Sequence, residues 1–84
     1  MLFIFDVPGQ YSMWMQGMKF PIDIMWLDTE GKIVYLQADV PVLTEDQSPI
    51  PTYANTEPAL YVLEAAAGTI KANRLKIGDQ LVLQ

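Results

Sequence analysis

Ile22-Asp23-Ile24-Met25-Trp26-Leu27-Asp28-Thr29-Glu30-Gly31-Lys32-Ile33-Val34-Tyr35-Leu36 decides the fold class of this chain. Ile22 to Leu27 is short, bounded by Pro21 and a turn, and apolar except at Asp23. Such a run suits a strand, and apolar side chains on both of its faces suit a central strand covered on both sides. Asp28-Thr29-Glu30-Gly31 reads as a tight hairpin turn, with Gly31 at the position that needs a positive φ. Lys32 to Ala38 returns as the next strand, with Ile33 and Tyr35 on one face and Val34 and Leu36 on the other.

Upstream, Leu2 to Phe5 is apolar and rich in β-formers, so a strand is expected there, ended by a turn at Pro8-Gly9. Tyr11 to Gln16 alternates as a second strand, and Gly17 to Pro21 connects it to the central one. The stretch from Met13 to Asp28 holds both tryptophans and four of the five methionines. Downstream, Asp39 to Pro58 carries four prolines and the acids Asp39, Glu45, Asp46 and Glu57, with no periodic apolar pattern. A segment of this kind is expected to be a solvated, mobile loop. Ala59 to Glu64 is a fifth strand. Gly68-Thr69 caps a short helix over Ile70 to Leu75, with Lys71, Arg74 and Lys76 at its C-terminal end. Ile77-Gly78-Asp79 is a structural turn, and Gln80 to Leu83 is a last strand. The expected architecture is a small antiparallel sandwich or partly open barrel, mainly β, with one short helix near the C-terminus.

The totals bound the rest. Residues 1–84 make one small domain, and half the residues are apolar, enough for a packed core. Net charge is −5, which disfavours nucleic acid and an anionic membrane surface. No apolar run approaches the ~20 residues of a membrane span. The opening Met-Leu-Phe-Ile-Phe-Asp lacks the basic and long apolar regions of a signal peptide. There is no histidine and no cysteine. That removes a Ser-His triad, a thiolate nucleophile and an ordinary zinc site. Acid–base work would fall to carboxylates, lysines or tyrosines, and any metal would need oxygen ligands.

An ordered set of short motifs runs along the chain: Met1-Leu2-Phe3-Ile4-Phe5, Trp14-Met15, Pro21-Ile22-Asp23-Ile24, Trp26-Leu27-Asp28 and Gly31-Lys32-Ile33. Thr44-Glu45-Asp46, Tyr61-Val62-Leu63-Glu64, Ala67-Gly68-Thr69 and Ile77-Gly78-Asp79 follow. In that order and spacing the chain resembles the domain of unknown function 192 family. The resemblance covers nearly the whole chain and implies a β-rich sandwich or barrel. It also implies that many similar proteins are exported, and it implies no activity. Similar proteins usually begin with a further strand and a helix bearing a Glu-Arg…Gly-Leu-Met pattern, and this chain starts after that pattern. Many carry a cysteine after the Thr-Glu-Asp segment, where this chain reads Gln47-Ser48-Pro49-Ile50, so no thiol role is expected.

Asp23 is the sharpest site candidate, since an acid within an apolar strand has either a partner or a task. It is expected to accept backbone N–H groups from the Gly17–Pro21 connector or to pair with Lys19 or Arg74; the other reading is a ligand-facing carboxylate. Met13, Trp14, Met15, Met18 and Trp26 read either as core or as the lining of an apolar groove. The acidic loop lacks the ligand spacing of a calcium loop. Asp23 with Glu64 or Asp28 is a candidate general acid–base pair, whose separation the sequence does not give. The leading expectation is a non-catalytic binding module with Trp14, Lys19, Pro21, Asp23 and Glu64 at its site. Its ligand would be a small molecule, a sugar or an extended peptide, with no cofactor and no metal. The alternatives are a small carboxylate-based hydrolase using Asp23, and a structural protein acting by self-assembly. Homo-oligomerisation is expected in any case, because Leu2 to Phe5 would lie at an unguarded apolar edge.

Overall fold

The computed structural model describes residues 1–82. Four strands, β1 (Leu2–Gly9), β2 (Ile22–Leu27), β3 (Ile33–Val40) and β4 (Ala59–Ala66), form one antiparallel sheet in the order β1-β4-β2-β3. The sheet is open, with β1 and β3 at its edges, and one very short helix, α1 (Thr69–Ala72), follows β4. The mainly β expectation therefore holds, in its open form. No helix among the described residues is long and apolar enough to cross a membrane.

β2 lies inside the sheet and every one of its residues is buried. Its alternation divides the core in two. Ile22, Ile24 and Trp26 face a cluster with Met15, Val40, Ala59 and Val62. Met25 and Leu27 face the other side, with Ile33 and Ile70. The Asp28 turn is built as expected. Asp28 Oδ1 accepts the N–H groups of Glu30 and Lys32 at 2.9 and 3.0 Å. Gly31 has φ +82°, and a Cβ there would meet the carbonyl oxygen of Leu81 at 2.8 Å, so both backbone and space require glycine.

Tyr11 to Gln16 is not a strand. Trp26 Nε1 donates to the Tyr11 carbonyl and Asn55 Oδ1 accepts the Tyr11 N–H, both at 2.9 Å. Side chains thus take the backbone groups that a ladder would have used. Met13 makes an isolated bridge to Tyr53, and the Met15 carbonyl accepts the Met18 N–H within a local turn, so no ladder forms. The turn expected at Pro8-Gly9 is instead a wide irregularity within β1: Ile4 pairs with Tyr61 and Gly9 with Ala59. Nor does a strand form over 80–82. Gln80 makes one bridge with Lys32, and Leu83 lies outside the described residues.

α1 is shorter than the expected Ile70 to Leu75, because Arg74 adopts φ +52° and stops it. Arg74 N–H then donates to Lys71 and Leu75 N–H to Ile70, while Leu75 and Ile70 share a core cluster. This is a left-handed C-cap with its usual apolar contact. At the other end Gly68 holds the N-cap position with no side chain to cap it. The cap comes from elsewhere in the chain: Asp23 Oδ2 accepts the N–H of Ile70 at 2.7 Å.

Asp23 Oδ1 accepts the N–H of Asp39 at 2.9 Å. Here β3 carries an extra residue, since Ile22 pairs with Val40 but Ile24 pairs with Gln37. Asp39 sits in this bulge at φ +53°, which turns its N–H toward Asp23. Asp23 is fully buried and both its oxygens are occupied. The donors are not those expected. None comes from the Gly17–Pro21 connector, and Lys19 and Arg74 are exposed and do not pair with it.

The end of the long loop is anchored rather than free. Asn55 is buried; its Nδ2 donates to the carbonyls of Gly9 and Glu57 at 2.9 and 2.6 Å, and its Oδ1 takes the Tyr11 N–H. With the Met13–Tyr53 bridge, this fastens residues 53–57 to the N-terminal third of the chain.

Two expectations follow. Asp23→Asn keeps the shape but points an N–H₂ group at one of two backbone donors, and is expected to cost ~1–3 kcal/mol in chemical denaturation. A variant as stable as the parent would contradict the capping role. Asn55→Asp places an acceptor against the Gly9 and Glu57 carbonyls. It is expected to cost at least ~2 kcal/mol and to speed amide exchange at Tyr11, Met13 and Tyr53 before that of β2.

Candidate functional site

On the face of the sheet occupied by Ile24 and Trp26, the segment after β1 lies against the β1 side chains. Phe5 and Tyr11 stack with ring centroids 3.7 Å apart and planes within 6°. The Tyr11 hydroxyl donates back to the Val7 carbonyl, closing the turn that makes this stacking possible. Beyond the stacked pair a cleft of about 560 Å³ opens, within the range of small-molecule sites. Phe3, Phe5, Tyr11, Met13, Trp14 and Met18 supply its apolar wall, and Gln10, Ser12 and Gln16 its polar rim.

Glu64 is the one charged side chain among the described residues of the lining. It pairs across the sheet with Ile24, so it projects to the cleft face. Partial burial pushes its carboxyl above the ordinary range, and the amino-terminal charge of Met1 pulls it part of the way back. Trp14 stands at the mouth with 46 % of its surface exposed, whereas Trp26 is wholly buried and edge-on to Tyr35 at 5.5 Å. The groove and core readings of the aromatic and methionine residues thus divide between them. Met15 and Trp26 are core; Trp14, Met13 and Met18 line the cleft.

Of the five residues expected together, the structure brings Trp14 and Glu64 to one cleft. Lys19 and Pro21 are exposed outside it. Asp23 pairs with Ala65 and projects to the opposite face, under α1. Asp23 and Glu64 therefore cannot form an acid–base pair, because adjacent ladder positions point to opposite sides of a sheet. Asp28 is committed to its own turn. No three acidic side chains converge among the described residues, in the long loop or elsewhere. Sequence reasoning missed Phe3, Phe5 and Tyr11 as lining residues. Their alternation was legible, but the fold of Tyr11 back onto Phe5 was not.

Glu64 generates a pH prediction. Its folded value is raised above the ordinary 4.5, so the folded state holds this proton more tightly than the unfolded chain. The stabilisation is fully present below 4.5 and is lost as pH rises through the raised value. Glu64→Gln is expected to raise the melting temperature at pH 7 and to flatten its pH dependence just above 4.5. Thermal melts at several pH values check this; an unchanged slope would show that Glu64 contributes nothing to it.

Two solved structures share the fold. A protein described as a "putative transcription regulator" from Sinorhizobium meliloti 1021 superposes with a TM-score of 0.83 and 29 % identity, over 94 % of this chain and 57 % of its own length. A protein of unknown function from Novosphingobium aromaticivorans DSM 12444 gives 0.82 and 22 %, over 94 % of this chain and 53 % of its own. This chain thus spans a little over half the length of each. Among curated proteins there is no match. The family model described as an uncharacterized ACR matches residues 1–83, and the chain belongs to that family, domain of unknown function 192.

Proposed function

We propose that the protein is a non-catalytic binding module whose site is the cleft between β1 and the 10–18 segment. The observation that carries this is the lining: among the described residues, four aromatic side chains (Phe3, Phe5, Tyr11 and Trp14) and three methionines (Met1, Met13 and Met18), with one carboxyl, Glu64, at the edge. A surface of this kind gains most from an apolar or aromatic ligand, with methionine adapting to its outline and Glu64 accepting one hydrogen bond. Among the expected ligand classes, an apolar small molecule or an apolar stretch of extended peptide fits this lining. A sugar would need more polar partners than Gln10, Ser12 and Gln16 supply.

The hydrolase reading loses its basis, since the Asp23 carboxylate already serves two backbone donors and lies across the sheet from Glu64. The description of one structural neighbour suggests regulation of transcription. Ten acidic residues against five basic ones argue against direct contact with a phosphate backbone. We also propose that the chain associates with itself, since β1 is an edge strand with exposed apolar side chains.

The neutral aromatic probe N-phenyl-1-naphthylamine tests the binding reading. Saturable one-to-one binding with a micromolar Kd is expected, with energy transfer from Trp14. Trp14→Ala should weaken it about tenfold, the ~1–1.5 kcal/mol expected of one aromatic contact. Lys19→Ala should leave it unchanged. Non-saturable binding, or equal binding by Trp14→Ala, would remove the cleft as the site.

A further inference from the structure

The free edge of β1 is self-complementary. Met1 and Glu64 exchange both backbone hydrogen bonds, at 2.6 and 2.8 Å. By the alternation of an antiparallel ladder, Phe3 and Val62 form the next hydrogen-bonded pair. Leu2 and Ile4 therefore turn their N–H and C=O groups away from β4, toward the open edge. No side chain from Leu2 to Phe5 is charged, and the first acid is Asp6. Ile4 is 69 % exposed and Met1 75 %. The irregularity between Ile4 and Gly9 ends the regular edge, so it matches only a strand as short as itself.

We propose that this edge pairs with the β1 edge of a second copy, antiparallel about a two-fold axis at Phe3. The inference rests on the self-association proposed above and is independent of what the cleft binds. In this register Leu2 of one copy faces Ile4 of the other, and each of the two pairs exchanges two hydrogen bonds. All the outward groups of Leu2 and Ile4 are then used. A two-fold at Ile4 would set Leu2 against Asp6, and one at Leu2 would leave Ile4 unpaired. The Phe3 register alone uses every donor and keeps the acid outside the paired segment. Met1 of each copy lies opposite Phe5 of the other, on the cleft face. The two four-stranded sheets become one continuous sheet, with the two clefts side by side across the axis. A charge of −5 on each copy opposes association, so the dimer is expected to tighten with salt.

Sedimentation without ligand, at 5–200 µM (about the range a short edge contact reaches), tests the association. A dimer that strengthens between low and high salt supports the proposal, and a monomer throughout overturns it. Ile4→Lys places a charge on the pairing edge and should shift the midpoint at least about tenfold toward monomer, with an unchanged far-UV spectrum; a dimer that tolerates it overturns the proposal. The register is tested by cross-linking, which the absence of native cysteine makes clean. Phe3→Cys sits opposite its own copy at a non-hydrogen-bonded position, where Cα atoms lie ~4.5 Å apart, within disulfide reach. Ile4→Cys sulfurs would be offset by two residues, at Cα separations of roughly 8 Å, beyond that reach. Rapid oxidation of Phe3→Cys and not of Ile4→Cys supports the register; the reverse, or equal rates, overturns it. Probe binding by the Ile4→Lys monomer separates this outcome from the cleft reading, because that site lies within one copy.

Discussion

The Asp23 carboxylate holds together three parts of the chain that no continuous ladder connects. β2 presents it from the centre of the sheet, the β3 bulge offers the Asp39 N–H, and α1 offers the Ile70 N–H. A buried carboxylate is costly alone, and a bulge or a helix N-terminus each leaves a donor without a partner. Placed together, the three unfavourable features satisfy one another. Every buried side-chain polar atom among the described residues has a hydrogen-bond partner. α1 has only four residues, too few to persist by propensity. It exists because Asp23 caps one end, the left-handed Arg74 closes the other, and Ile70 is buried between them.

With that side of the sheet closed by α1, the other side is left to the segment after β1. Asn55 does there what Asp23 does beneath the helix, serving backbone groups where no ladder reaches them. The two buried polar side chains thus act as joints, one per face. The Asn55 joint holds Tyr11 against Phe5, and this leaves the cleft open between Phe3, Met13, Trp14 and Glu64. The cleft opens on the face where the cover is the segment after β1 rather than a helix.

An open sheet of four strands has two edges, and this one treats them differently. β3 ends in the bulge at Asp39, is followed by Pro41, and is met near its start by the 78–81 segment. Among the described residues, nothing gives β1 such protection over Leu2 to Phe5. A small domain without disulfides has little stability to spare, so apolar edge surface weighs heavily in its behaviour.

The sequence by itself determined the mainly β class, the β2 run, the Asp28–Gly31 turn and the apolar character of β1. Each depends on contacts between near neighbours in the chain: alternation, a turn residue with positive φ, and a run too apolar to lie at a surface. The sequence also marked Asp23 as partnered, since a buried acid must be, and the family resemblance was legible from ordered short motifs. Which groups partner Asp23 was decided by tertiary structure, for its donors lie 16 and 47 residues away. The same holds for Tyr11 to Gln16. Its alternation suits a strand, but a strand needs a neighbour with free backbone groups, and the side chains of Trp26 and Asn55 reached Tyr11 instead. Glu64 and Asp23 were alike in sequence as acids in apolar strands. Only the register of β2 against β4 put them on opposite faces, one in a cleft and one beneath a helix, because side-chain direction reverses at every residue of a strand.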